Sequence, residues 1–590
     1  MTTYDIKIQN SDCREAFRCA KAACRPAFVA ADQAADKADE GLSAVWIKNP
    51  ILKGCNPDPC ICRKGDDYYC AVSSFEWFPG IPVYHSRDLR NWELITNVLT
   101  EYSQIDLRNL PSGKGIWAPC LTYCEEDGLF YILFGCMYST NARYHDCANY
   151  IITAENIEGP WSEPVYVHSA GFDASLFHDE NGRKYVSSIE WETREGYEKP
   201  GEICVCEIDP KSFKPLGFPK RVYRGATERG CLEAPHITKK NGYYYLMCAE
   251  GGTGYGHSVT MARSRDIFGD YEPDPENPIL TSYPENFVRS EDHVVTDCFN
   301  PEVKLQKAGH GSYVDLPNGE TYLVHLCGRP FVPELRCTLG RETAIQQMEW
   351  TSDGWLRKVG GKLPDEYVKP PELPEIKLAA IPELDDFDSE ELGKHFYSPR
   401  IKPTDFADLT ARKGYIRLRG GESFCSPHSA SVLARKLTGV KGAITTKLDF
   451  TPEIYKHSAG ILLYYNNLNF VYLRKYFSET LNGAALGIAK LEHGVKTEIT
   501  STRTPVDERE IYLRIVLNGR EFHFEYGYDG NNFLTIGESF DLTKLSDDHV
   551  GFGSYTGAFA GIGCIDLMFR EKTADFDFFD YRVNEEADVN

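Results

Sequence analysis

GDDYYCAVS (residues 65–73), DGLFYILFG (127–135), NGRKYVSSI (181–189), NGYYYLMCA (241–249) and NGETYLVHL (318–326) are five versions of one phrase. In each, a glycine-containing turn runs into an aromatic, β-branched strand. An Asn-Gly or Asp-Gly pair supplies the positive φ angles of a tight hairpin turn. The last tyrosines of the phrases, Tyr69, Tyr131, Tyr185, Tyr245 and Tyr322, stand 62, 54, 60 and 77 residues apart. That interval suits a four-stranded propeller blade with long loops, and five in succession predict a closed ring of five blades. Closing phrases such as HSRDLRNWELI (85–95), TAENIEGPWSEPVYV (153–167) and ARSRDIFGDYEP (262–273) supply further strands.

Outward from these repeats the chain divides further. Residues 1–45 are rich in Ala and charge and read as an N-terminal extension, helix plus linker. The propeller is expected over residues 46–368. The stretch KPPELPEIKLAAIPE begins at Lys369, and its prolines suit a linker over 369–384. From 385 to 590 the strands alternate cleanly: Ile511, Leu513, Ile515 and Leu517 share one face, Asn518-Gly519 turns, and Phe522, Phe524 and Tyr526 return. That pattern predicts a hairpin with one buried face inside a β-sandwich. The fold class expected is therefore all-β, a five-bladed propeller followed by a sandwich.

Composition limits the partners. A formal net charge of −23 over 590 residues disfavours nucleic acid and anionic membrane surfaces. No apolar run is long enough to span a bilayer, and MTTYDIKIQNSDCREAF lacks a basic start followed by an apolar run, so no signal peptide is expected. The 20 Cys are scattered and read as reduced thiols of a cytosolic chain. Cys60/Cys62 and Cys204/Cys206 form C-x-C pairs in strands, but no second pair stands at zinc-finger spacing, so they read as small strand residues.

A propeller gathers the inner strands of all blades around one axis, so acids far apart in sequence can meet. Asp58 lies in GCNPDPC (54–60), Asp173 in AGFDASLF (170–177) and Glu233 in GCLEAPHI (230–237). Each is an acid in an apolar or small-residue phrase ahead of a blade's aromatic strand. Singly each could be a turn acid; three in matching blade positions point to a shared site. GGTGYG (251–256) lacks the G-x-G-x-x-G spacing and a βαβ setting, so it is not a nucleotide loop.

The phrases NPILKGCNPDPCICRKGDDYYCAVSSFEWFPG (49–80), HSRDLRNWELI, GIWAP (115–119), GFDASLFHDENGRKY (171–185), LEAPHITKKNGYYYL (232–246), AEGGTGYGHS (249–258), KAGHGS (307–312) and LGRETA (339–344) resemble, in order and spacing, the β-xylosidases of glycoside hydrolase family 43. HSAGILLYYNN (457–467) and GSYTGAFAG (553–561) resemble the sandwich that accompanies them. The resemblance implies an inverting hydrolase with Asp58 as general base, Glu233 as general acid, and Asp173 orienting Glu233 and holding its pKa up. Acid and base must differ in protonation at one pH, which requires environments that push their pKa values apart. It further implies that Arg341 holds sugar hydroxyls, that Phe75 and Trp117 wall the sugar subsite, that Thr253 lines it, and that Phe559 reaches over the mouth from a sandwich loop. His310 corresponds to an axial histidine that in some members helps hold a hydrated calcium ion; no cofactor is otherwise required.

The expected reaction is exo-release of terminal xylose from short β-1,4-xylooligosaccharides, by an enzyme that works as a homo-oligomer. An α-L-arabinofuranosidase is the alternative within the enzyme class, because both substrates present pentose rings of similar size. A non-catalytic sugar-binding propeller is the alternative outside it, disfavoured because a binder needs no proton donor. The chain departs from the family pattern at DASLF, at Gly254, and at the thiols Cys55 and Cys60 beside Asp58. It also carries a long segment over 285–304, expected to reshape the pocket entrance or to contact another subunit.

Overall fold

A computed structural model describes residues 46–589 apart from 142, 195, 197–200, 289–296 and 552. The N-terminal extension and the centre of the 285–304 segment lie outside the described residues. What is described is almost entirely β, with one four-residue helix, Asp547–Val550.

Five consecutive stretches each fold into an antiparallel sheet of four strands in sequence order, and the fourth sheet gains a short extra strand, Leu280–Thr281. The innermost strands are Cys60–Lys64, Gly115–Cys124, Phe172–His178, Glu233–Lys240 and Gln306–Asp315. Each contacts its two neighbours, and the fifth contacts the first, so the ring closes. The five repeated tyrosines all lie on the second strand of their sheets and all are buried. The turn glycine ahead of each, Gly65, Gly128, Gly182, Gly242 and Gly319, has φ between 62° and 89°. A residue with a Cβ would be strained at those angles, which is why one glycine recurs in every phrase. Ile47–Lys48 pairs with Tyr367–Val368 and joins the two ends of the propeller.

The C-terminal region packs an eight-stranded sheet against a six-stranded one. Ile511, Leu513, Ile515, Phe522 and Phe524 from the first meet Leu433, Ile461, Leu463, Leu473 and Ile562 from the second in one core. Alternation read from the sequence therefore assigns the buried face correctly. The sandwich is fastened to the propeller. Trp77–Phe78 pairs with Ser398–Pro399, and Arg400 donates to the Leu110 carbonyl at 2.7 Å. No helix among the described residues is long and apolar enough to cross a membrane.

Candidate active site

Each inner strand approaches the axis through a residue with a left-handed backbone: Asp58 (φ 57°), Ala118 (40°), Asp173 (49°), Ala234 (52°) and His310 (43°). In sheets two to five the pairing register breaks at the same place, the mark of a bulge. Bulges re-aim side chains, here toward the axis. Asp58 and Asp173 thus occupy equivalent positions, with His310 as the fifth-blade counterpart. Glu233 precedes its blade's left-handed residue, so the expectation that all three acids hold matching positions is corrected. Glu233 stands one residue earlier in its strand than Asp173 does in its own, so its side chain leaves the strand at a different position.

All three acids line one cavity together with Phe75, Trp117, Thr253, His310 and Arg341. Asp58 is buried and held from two sides. Ser73 Oγ donates to its Oδ2 at 2.7 Å and accepts from the Ala118 amide at 2.7 Å, while Arg341 Nη1 donates to its Oδ1 at 3.2 Å. His310 Nδ1 stands 3.6 Å from the same Oδ1. Burial pushes the His310 imidazole down, against the pull of the Asp58 charge.

Asp173 accepts from the Ala234 amide at 3.3 Å, so it braces the backbone next to Glu233. Burial, reinforced by the like charge of Asp58, pushes its carboxyl up to about 8. Asp58 and Asp173 thus repel one another across the cavity, and Asp173 reaches the backbone beside Glu233 through the Ala234 N–H. Glu233 Oε1 lies 3.7 Å from Nε2 of the fully buried His257, whose own pKa is pushed far down by burial. His257 Nδ1 is 3.2 Å from the Lys307 carbonyl.

The aromatic walls stand as expected, with one correction. Phe75 and Trp117 meet at 6.5 Å edge-on, and Trp117 crosses Phe172 at 5.9 Å. Phe559, expected over the mouth, is the first residue of the buried strand Phe559–Asp566 and stacks on Trp77 at 3.6 Å. Four residues earlier, Tyr555 takes the expected place. It lines the cavity, stacks with Phe75 at 6.3 Å, and its carbonyl accepts from Arg341 Nη2 at 3.1 Å. A strand running inward from the loop buries Phe559, whereas Tyr555 sits in the loop itself. Sequence reasoning also missed Ser73, His257, His145, Trp191 and the sandwich residues Asp547 and Asp548. The signal for Ser73 was available, since it ends the first repeated phrase. Asp547 has a carboxyl pushed up to about 6 by burial, against the opposing charge of nearby Lys307.

Among the described residues no cluster of three candidate ligands includes His310, so a calcium ion there, which takes six to eight oxygens, would have to be held through waters.

The cavity therefore offers two inequivalent aspartates, a glutamate at a different strand position, a buried guanidinium and aromatic walls. That combination can bind a small polyhydroxy ring and move protons at two sites.

Comparisons agree with this picture. The family described as glycosyl hydrolases family 43 matches residues 47–356, and the beta xylosidase C-terminal concanavalin A-like domain matches 384–582. The chain is 41% identical over 548 residues to xylosidase/arabinosidase 43B of Humicola insolens, covering 91% of this chain and 97% of the relative. It is 39% identical to a beta-xylosidase of Bacillus subtilis, covering 91% and 99%. Among solved structures, a xylan beta-1,4-xylosidase from Bacillus halodurans superposes with a TM-score of 0.84 at 42% identity, over 90% of this chain and 99% of that one.

Proposed function

The chain belongs to glycosyl hydrolase family 43, and from that premise we propose that it releases terminal xylose from β-1,4-xylooligosaccharides with inversion. The observation that carries this reading is the convergence of Asp58, Asp173, Glu233 and Arg341 in one aromatic-walled cavity. Relatives named as β-xylosidases, similar over nine-tenths of the chain, support the sugar.

In this reading Asp58 takes a proton from water and Glu233 delivers one to the departing glycosidic oxygen. Inversion needs the water to attack from the face opposite the leaving group. Asp58, held by Ser73 and Arg341, is suited to the base role because these two hydrogen bonds fix the orientation of its carboxylate. Asp173 positions Glu233 through the Ala234 amide. Arg341 offers fixed donors for vicinal hydroxyls, and its buried Nε has no hydrogen-bond partner among the described residues. Phe75, Trp117 and Tyr555 wall the sugar ring, and the Tyr555 loop from the sandwich favours exo-action by narrowing the mouth. Every described cysteine is a free thiol, which supports a reducing, cytosolic setting.

Proton NMR of the enzyme with xylotriose tests the reading. Early α-xylose with xylobiose is expected; early β-xylose would mean retention and overturn the assignment of Asp58 as base. Relatives named xylosidase/arabinosidase favour a second activity on α-L-arabinofuranosides. The kcat/KM ratio for 4-nitrophenyl xyloside against the arabinofuranoside decides which is the main one.

A further inference from the structure

Two residues beyond the left-handed residue of each inner strand, the propeller axis carries a second set of side chains. From blade one to blade five it reads Cys60, Cys120, Ser175, His236 and Ser312. This level holds thiols and an imidazole. The sulfurs of Cys60 and Cys120 and a ring nitrogen of His236 lie within 4.8 Å of one another. We propose that Cys60, Cys120 and His236 form a site for a thiophilic divalent cation, zinc in the first place, on the axis next to the acids.

Three observations carry it. The donor set is chemically apt: two thiolates and an imidazole suit zinc, and three protein ligands leave a tetrahedral ion one further position. Edges of such a tetrahedron are about 3.5–3.8 Å with ordinary zinc–sulfur and zinc–nitrogen lengths, so ligand atoms within 4.8 Å of one another need to draw together by at most about 1.3 Å.

The sulfurs are also provided for. The Leu121 amide donates to Cys60 Sγ at 3.3 Å, the Leu176 amide donates to Cys120 Sγ at 3.4 Å, and the Ser312 hydroxyl points to Cys60 Sγ at 3.9 Å. Donors aimed at sulfur stabilise the thiolate form and orient it, as outer-shell groups do around metal-bound cysteines. A pair of small apolar strand residues has no need of them.

Finally, both cysteines are buried and His236 is part-buried, which places the ligand set inside the ring rather than on its surface. The ligands come from blades one, two and four. An ion there ties three blades together across the axis, and it binds the folded ring alone because the unfolded chain scatters the ligands. Binding releases the two thiol protons to solvent, so affinity falls as pH falls.

The test uses the full-length protein, stripped with a chelator under reducing conditions and titrated with Co2+ and then Zn2+. The expected result is one Co2+ per chain, a thiolate-to-cobalt charge-transfer band, bleaching of that band by Zn2+, and a rise in unfolding temperature with Zn2+. Cys60→Ser and Cys120→Ser lose the band and the temperature rise. His236→Gln, which leaves both thiols in place, binds more weakly and serves if a cysteine variant fails to fold. The proposal is overturned if wild type shows no band, if the band survives in both serine variants, or if mass spectrometry finds Cys60 and Cys120 joined as a disulfide in protein purified under reducing conditions.

Discussion

Lys307 Nζ of the fifth propeller sheet lies 2.6 Å from Asp548 Oδ1 of the sandwich, and the two side chains are only 2% and 7% exposed. The pair sits at the edge of the cavity and joins the domains there. Removing one partner of a buried pair strands a charge, at a cost of about 3–5 kcal/mol. Asp548→Asn keeps an acceptor for the Cys337 amide, which Asp548 Oδ2 now satisfies at 2.8 Å, but takes from Lys307 the carboxylate that touches it. Calorimetry should show the unfolding transition lowered, and Lys307→Met added to Asp548→Asn should recover most of the loss. Equal stability of the single variant and wild type would refute this account of the interface.

Glu233 and Asp58 should separate by leaving group. Glu233→Ala is expected to lower kcat on xylobiose by about 100- to 10,000-fold. It should act far less on aryl xylosides whose leaving groups need little protonation. Asp58→Asn should abolish turnover of both. An equal loss on both substrates in Glu233→Ala would remove it from the general-acid role.

Asp173 makes a prediction about stability against pH. Its carboxyl is raised from an ordinary 3.8 to about 8 in the folded protein. Between those values the folded state holds a proton that the unfolded state has released, so its contribution to stability falls as pH rises. Asp173→Asn, neutral throughout, should therefore match wild type near pH 4, gain on it progressively up to about pH 8, and hold a constant advantage above. Denaturant melts across that range measure it, and a gain that shrinks with rising pH would contradict the burial of Asp173.

Tyr555 and Phe559 should divide binding from stability. Phe559→Ala deletes a ring that is 1% exposed and stacked on Trp77, and should cost about 3–5 kcal/mol. Tyr555→Ala should raise KM for xylobiose several-fold with a smaller change in melting temperature. Reversal of the two effects would return Phe559 to the mouth of the pocket.

The acids were legible because the chain carries them in short phrases fixed relative to a repeated turn. Arg341, Phe75, Trp117 and Thr253 were legible only through the resemblance of their phrases to family 43, and all line the cavity. Tyr555 was not, since GSYTGAFAG contains two aromatic rings and nothing local says where loop ends and strand begins. Ser73, His257 and Asp547 reach the site only through pairings with Asp58, Glu233 and Lys307, which no local pattern encodes.

The sequence alone determined that strands repeat five times and that a glycine opens each repeat, because a positive φ is a local demand with a local solution. It also determined the buried face of the sandwich, since strand side chains alternate with a period of two. Only the tertiary structure decided what the ring brings together. Closing five sheets on one axis sets Asp58 beside Arg341, Asp173 beneath the Ala234 amide, and Cys60 near Cys120 and His236. Those encounters depend on the rotation of each blade and on a one-residue bulge at its inner edge. Spacing along a chain carries no record of either.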